Sequence, residues 1–260
     1  MNPWTQKSID LACSDGYLDK LFDVYPMVPD GRREIFVADW NNVRTAFNQK
    51  DGKHLIELLL KFEIFPLKDS YVASFKRDSS SIAKNPETVR RLAERLFDLG
   101  LDEIYRLCSE PKETNRQIGP LFKKWVNRGA LGLKSMDLDK FVRTDDDAVL
   151  DASDTEMKNF ALTALKYTND KGLDLVVRKN GKYVIGEAKF LTDFGGHQNS
   201  QFNDAMTTLR TKGVTAQIVA ILDGVVYIKG GNKMYLGLKN SNDTEKIMSS
   251  LVLKEFINSL

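Results

Sequence analysis

Within the stretch KGLDLVVRKNGKYVIGEAKF, residues 171–190, three side chains have types and spacing suited to chemistry: Asp174, Glu187 and Lys189. They interrupt runs that otherwise read as buried strand, where an uncompensated charge is costly. Between the runs stands Asn180-Gly181, the strongest short-range hairpin signal, because both residues accept the positive φ of a type I′ turn. With that pair as the loop, Lys179 faces Lys182, Val177 faces Val184, Leu175 faces Gly186, and Asp174 falls opposite Glu187. Directly opposed Cβ atoms lie about 4.5–5.5 Å apart. Glu187 and Lys189 share a face because strand side chains alternate. Two carboxylates converging without a paired arginine repel each other unless a cation neutralises them. Mg²⁺ answers that need, being bound by one or two carboxylates, waters and substrate phosphate oxygens. Such an ion polarises a phosphoryl group and generates hydroxide near neutral pH. A neighbouring ammonium can orient or help deprotonate the attacking water and stabilise charge developing on the phosphorane.

The spacing alone carries little weight. Glu-x-Lys is expected about once by chance in a chain of this length, and Glu156-Met-Lys158 is a second instance, with Asp51-Gly-Lys53 a close relative. Two β-branched runs, the Asn-Gly turn and an Asp across from the Glu set residues 174, 187 and 189 apart. The plain alternative is an exposed hairpin edge carrying a solvated Glu187–Lys189 salt bridge.

The elements that must position these residues follow from pattern. The first half reads as mostly helical. NPETVRRLAERLFDLG has Asn85 as N-cap, Pro86 at the first helical position and Gly100 just past the end. GKHLIELLLKFEIF reads as a buried helix whose aromatic end is open to a strand reading, and residues 77–86 read as a loop. In SDTEMKNFALTALKY, Ser153 and Glu156 form a capping box, with Met157, Phe160, Ala161, Ala164 and Leu165 at helical spacing. The hairpin comes next, then a helix over about 200–211, a β-rich run VTAQIVAILDGVVYIK, and a last helix over about 243–258. That order predicts an α/β (α+β) fold with a mixed sheet flanked by helices. The expected division is a mostly helical region 1–145 and a core 146–260 that carries the hairpin. The acidic stretch RTDDDAVLDASD is the seam, and a single compact domain is the alternative.

Composition sets outer bounds. The 260 residues are 42% hydrophobic and 28% charged, as in an ordinary globular protein. No apolar run reaches membrane-spanning length, so no membrane partner is expected. The first residues lack a basic segment followed by an apolar one, which reads as no secretory signal and a cytoplasmic location. Cys13 and Cys108 are too few for a disulfide framework or zinc site, and two histidines, His54 and His197, point any metal toward oxygen ligands. A net charge of +2 neither announces nor excludes nucleic-acid binding, which needs only a local basic surface.

GLDLVV…YVIGEAKF resembles the PD-(D/E)XK nuclease motif: an acidic residue at one strand, Glu-x-Lys on the next, a helix before and a helix after. The pattern covers about residues 153–222, and Leu173 stands where the motif's name has Pro. The size and the long helical first half are most similar to type II restriction endonucleases. The resemblance implies a restriction-endonuclease-like core, with Asp174 and Glu187 as Mg²⁺ ligands, Mn²⁺ as a substitute ion, and Lys189 as the catalytic lysine. It implies site-specific cleavage of double-stranded DNA by a homodimer, with 146–260 as the catalytic core and 1–145 a candidate for DNA recognition or dimerisation, and a companion DNA methyltransferase. Glu156 is a candidate for the extra carboxylate that many such nucleases carry on their first core helix, against its reading as a cap.

Two further stretches offer candidates for DNA contact. In FLTDFGGHQNSQF, residues His197, Gln198, Asn199 and Gln201 are candidate DNA contacts and Asp193 a candidate third ligand, against the reading of a polar loop. KETNRQIGPLFKKWVNRGALGLK places Arg116, Lys123, Lys124 and Arg128, with Lys112, Asn115, Gln117 and Lys134, around an apolar stripe suited to phosphate contact. A solvated helix face is the plain reading. Trp4, Trp40 and Trp125 read as core. Rival functions are a repair or recombination nuclease of the same fold, a non-catalytic DNA-binding module, and a structural or protein-binding domain.

Overall fold

The structure is a computed structural model that describes residues 1–27, 32–111 and 117–260. Contacts divide the chain into two units, Met1–Met27 with Thr114–Leu260, and Val28–Glu113. The seam expected near residue 145 runs through the first of these.

In chain order, the first unit begins with α1 (Pro3–Ala12) and α2 (Tyr17–Val24). The second unit then carries α3 (Val37–Asn48), α4 (Gly52–Leu59), α5 (Val72–Arg77), α6 (Ser80–Lys84), α7 (Pro86–Leu99) and α8 (Leu101–Cys108). Its described elements are all helical, as the first half of the sequence reads. They close around an apolar core that includes Val43, Leu55, Ile56, Leu59, Leu92, Leu96 and Ile104. Pro86 starts α7 as expected. The aromatic end of residues 52–65 is neither helix nor strand: α4 stops at Leu59 and Phe65 returns to the core through a turn. The loop expected over 77–86 contains α6.

The chain then returns to the first unit with α9 (Ile118–Trp125), a π-helical turn Val126–Ala130, β1 (Lys134–Met136), α10 (Leu138–Arg143), β2 (Ala148–Leu150) and α11 (Asp154–Ala164). There follow β3 (Leu175–Lys179), β4 (Lys182–Leu191), α12 (Gly196–Leu209), β5 (Gln217–Gly224), α13 (Lys233–Lys239), β6 (Lys246–Met248) and α14 (Ser250–Asn258). The strands form one mixed sheet in the order β1-β2-β3-β4-β5-β6. β2, β3 and β4 are antiparallel neighbours, while β1 with β2, β4 with β5, and β5 with β6 are parallel. This is the α/β fold with a mixed sheet and flanking helices that the pattern predicts.

Three differences have physical causes. β1 and β2 have only three residues each, too short for alternation to show, and β2 hides within the acidic stretch read as a seam. α12 begins at Gly196, earlier than residue 200, because the glycines and polar residues before Phe202 read as loop. The helix expected over 243–258 splits: Lys246–Met248 adds β6 to the sheet, and Ser249 caps α14 by accepting from the Leu251 amide. The β-rich run contributes one strand, ended at Gly224, and then a 3₁₀ turn Val225–Tyr227.

Apolar clusters cover both faces of the sheet. One includes Val177, Val184, Ala188 and Val219 with residues of α1, α9, α12 and α14. The other includes Val176, Ile185 and Leu150 with Met157, Phe160 and Ala161 of α11. Each fully buried Val, Leu or Ile contributes about 1.5–3 kcal/mol, so the central strands are held from two sides. The tryptophans sit at core edges: Trp4 edge-on to Phe256, Trp125 beside Phe122, and Trp40 edge-on to Tyr105 within the second unit.

Candidate active site

Asn180 and Gly181 turn the hairpin with φ of 51° and 70°, as a type I′ turn requires. The register is the expected one: Lys179↔Lys182, Val177↔Val184 and Leu175↔Gly186. The ladder ends there, and Asp174 lies one residue beyond it, donating its own amide to the Gly186 carbonyl at 3.0 Å. On one face β4 reads Tyr183, Ile185, Glu187, Lys189, apolar and then charged. Val176 and Ile185 pair on that face inside the α11 core. The charged residues therefore stand where that apolar layer stops.

Asp174, Glu187 and Lys189 converge at this point. The Asp174 carboxylate reaches over β4, where Oδ2 accepts from the Ala188 amide at 2.9 Å, midway between the other two residues. Glu187 is buried, and each of its oxygens is held: Oε1 by the Lys189 ammonium at 2.8 Å, Oε2 by the Thr208 hydroxyl at 2.8 Å. Burial pushes the Asp174 carboxyl up to about 6, with Asp154 and Glu187 adding to the rise and Lys189 and the Ala188 amide opposing it. For Lys189, burial works against its charge, but Glu187 and Asp174 outweigh it and hold the ammonium above the ordinary lysine value. The lysine is thus a firm cation placed among carboxylates.

Among the described residues, no three His, Cys, Asp or Glu side chains are grouped to make an all-protein metal cage. The pair that is present matches the other mode, in which a hard ion takes one or two carboxylates and completes its shell with water and phosphate oxygens. Burial, which lifts the Asp174 carboxyl, makes an uncompensated carboxylate costly here, and Lys189 is the cation that pairs with Glu187. The donor set fits such an ion.

The remaining candidates fall elsewhere. Glu156 closes the capping box, its Oε2 accepting from the Ser153 amide at 2.8 Å while Ser153 Oγ accepts from the Glu156 amide at 3.2 Å. It is Asp154, at the start of the same helix, that acts on Asp174. Lys123 pairs with Asp154, the acid that acts on Asp174, and donates to the Ala152 carbonyl at 3.0 Å. Lys124 is exposed, and Arg128 donates to the Asp23 carbonyl at 2.6 Å. Arg116, with Lys112 and Asn115, lies outside the described residues. Gln198 is buried against Thr192, accepting from its amide at 3.3 Å and donating to its hydroxyl at 3.2 Å. Asn199 donates to the Phe194 carbonyl, whereas His197 and Gln201 pair at 3.0 Å on the exposed side of α12. Asp193 accepts from the Phe194 amide in an exposed turn.

Sequence reading missed Asp154 and Thr208, as well as Asp204, which pairs with Lys171 at 3.0 Å and adds to the hold on the Lys189 proton. Asp154 is masked by its place in the first turn of a helix, where acidic residues are common. Thr208 sits in an apolar stripe as an ordinary helix threonine would.

The family model described as Tsp45I type II restriction enzyme matches residues 2–260. No curated protein and no solved structure matches the chain.

Proposed function

The chain belongs to the Tsp45I type II restriction enzyme family, and on that premise we propose that it hydrolyses phosphodiester bonds of double-stranded DNA at a short specific sequence, using Mg²⁺ held by Asp174 and Glu187. The observation that carries this reading is the convergence of two carboxylates and one ammonium on the end of a single hairpin.

When bound, Mg²⁺ supplies Lewis-acid polarisation of the scissile phosphoryl group and an acidified water. The chain's own residues do the rest. Asp174 is steadied through Oδ2 by the Ala188 amide, which leaves Oδ1 to face a cation. Glu187 offers Oε1 once Lys189 moves off it. Lys189, kept protonated by its carboxylate neighbours, acts as a cation: it orients the attacking water and offsets charge building on the phosphorane. Lys124, exposed on α9, supplies a phosphate contact, Lys123 and Arg128 join it on leaving Asp154 and the Asp23 carbonyl, and His197 with Gln201 offers donors on the exposed face of α12. Cutting both strands with one site per chain calls for a two-fold homodimer on a palindromic or near-palindromic sequence. Such activity in the cytoplasm calls for a companion DNA methyltransferase. No described helix is long and apolar enough to cross a membrane.

The test is plasmid and phage DNA incubated with purified protein, with Mg²⁺ or with EDTA, beside Asp174→Ala. Discrete fragments that require Mg²⁺ and vanish in the variant are expected. Smears without fixed fragments would move the reading to an end-cutting or repair nuclease. Binding without cleavage would make it a DNA-binding module.

A further inference from the structure

Thr207 and Thr208 are adjacent in α12 and use their hydroxyls differently. Thr207 donates to the Asn203 carbonyl one turn back at 2.8 Å, and Thr211 does the same to Thr207. That is the usual local outlet for a helical threonine. Thr208 instead directs its hydroxyl off the helix to Glu187 Oε2 at 2.8 Å. It is fully buried, between Ala205 and Leu209 of the same packed face. A β-branched side chain has few χ1 states in a helix, so this donor is rigid and is held by packing.

We propose that Thr208 is a positioning residue that orients the Glu187 carboxylate for divalent-cation binding and thereby sets the metal affinity of the site. The proposal rests on the metal-site reading above. Glu187 has one oxygen on a rigid, buried hydroxyl and the other on an ammonium whose side chain is 25% exposed. The two partners are unequal in freedom. Lys189 has a long flexible stem and can yield Oε1 to an incoming cation. Thr208 cannot move without disturbing the α12 packing, so it keeps Oε2, and with it the plane of the carboxylate, in place while that exchange happens. Without the hydroxyl, Oε2 loses the hydrogen bond that fixes the carboxylate plane, and the Tyr167 hydroxyl, which lies by Thr208 and Glu187, remains nearby. Partners that orient a metal ligand are worth about 10–100-fold in affinity.

The experiment compares wild type, Thr208→Val, Thr208→Ala and Thr208→Ser as full chains. It measures Mg²⁺ and Ca²⁺ binding by calorimetry, melting temperature in EDTA, and cleavage rate against Mg²⁺ concentration. Val keeps the shape and loses the donor; Ser keeps the donor. Val and Ala are expected to bind Mg²⁺ about 10–100-fold more weakly, with cleavage recovering as Mg²⁺ is raised, while Ser stays close to wild type. Wild-type metal affinity in Val or Ala would overturn the proposal. So would a loss that follows melting temperature across all three variants, which would make Thr208 a packing residue only. A wild-type protein that binds no divalent cation overturns the metal-site reading itself and this proposal with it, an outcome distinct from unchanged affinity in the variants. Should Val fold poorly, Ala and Ser still separate donor from shape.

Discussion

Asp174 is under opposed influences. Burial lifts its carboxyl to about 6, against the pull of Lys189 and the Ala188 amide. An acid whose folded pKa lies above its unfolded value near 3.9 favours the fold below that value, and the advantage is lost as pH rises through the folded pKa. Asp174→Asn in EDTA is therefore expected to melt higher than wild type at pH 8 and to converge with it near pH 4. The size of the rise bounds the difference at about 3 kcal/mol, reduced because the side chain keeps some contact with solvent. Adding Mg²⁺ should stabilise wild type and leave the variant unmoved. Equal melting at pH 8 in EDTA would mean that the carboxylate is not held at a cost. Glu156 offers a second residue test. Glu156→Gln preserves an acceptor for the Ser153 amide, so full cleavage is expected; loss of cleavage with an unchanged melting temperature would return Glu156 to the metal site.

The β3–β4 hairpin is the element that makes the site. Two glycines hold it for different reasons. Gly181 has φ of 70° at the turn with open space around it, so Gly181→Val carries backbone strain of about 1–2 kcal/mol and little else. Gly186 faces β5, where an added Cβ would stand 2.7 Å from Val219 Cγ2 and 2.8 Å from the Val219 carbonyl oxygen. Gly186→Ala must separate β4 from β5, at an overpacking cost of about 1–3 kcal/mol. It also shifts the residue beside Glu187, and the Gly186 carbonyl is what Asp174 binds. Denaturant melts and cleavage assays should separate the two variants. Gly181→Val is expected to lose stability and keep its rate per folded molecule, and Gly186→Ala to lose both. A Gly186→Ala enzyme with wild-type cleavage would show that the site tolerates movement between these strands.

At the scale of the whole molecule, a net charge of +2 leaves DNA affinity to local basic surface. Lys123 is committed to Asp154 and Arg128 to a carbonyl, whereas Lys124 on the same helix is exposed. Lys124→Ala is expected to weaken binding equally on specific and random duplexes, measured with Ca²⁺ in place of Mg²⁺. The slope of log affinity against log salt should fall by about 0.9 for the lost phosphate contact. An unchanged slope would take Lys124 off the DNA. Selective loss on the specific sequence alone would make it a base-reading residue.

The hairpin, its register and its three charged residues were all legible in the sequence, because turn chemistry and two-residue alternation are local rules that act before any packing. Helices α7 and α11 were legible for the same reason, through Pro86 and the Ser153–Glu156 box. Local rules run out where partners are distant in the chain. β1, β2 and β6 are strands only because a neighbouring strand offers its edge, and three residues carry too little pattern to announce it. Gln198 reads as a solvent-facing polar residue and is instead buried on Thr192. The acid that acts on Asp174 from α11 is Asp154 and not Glu156, since the capping box turns Glu156 back onto its own helix. Thr208 meets Glu187 across 21 residues, a contact that exists only because α12 is packed against β4.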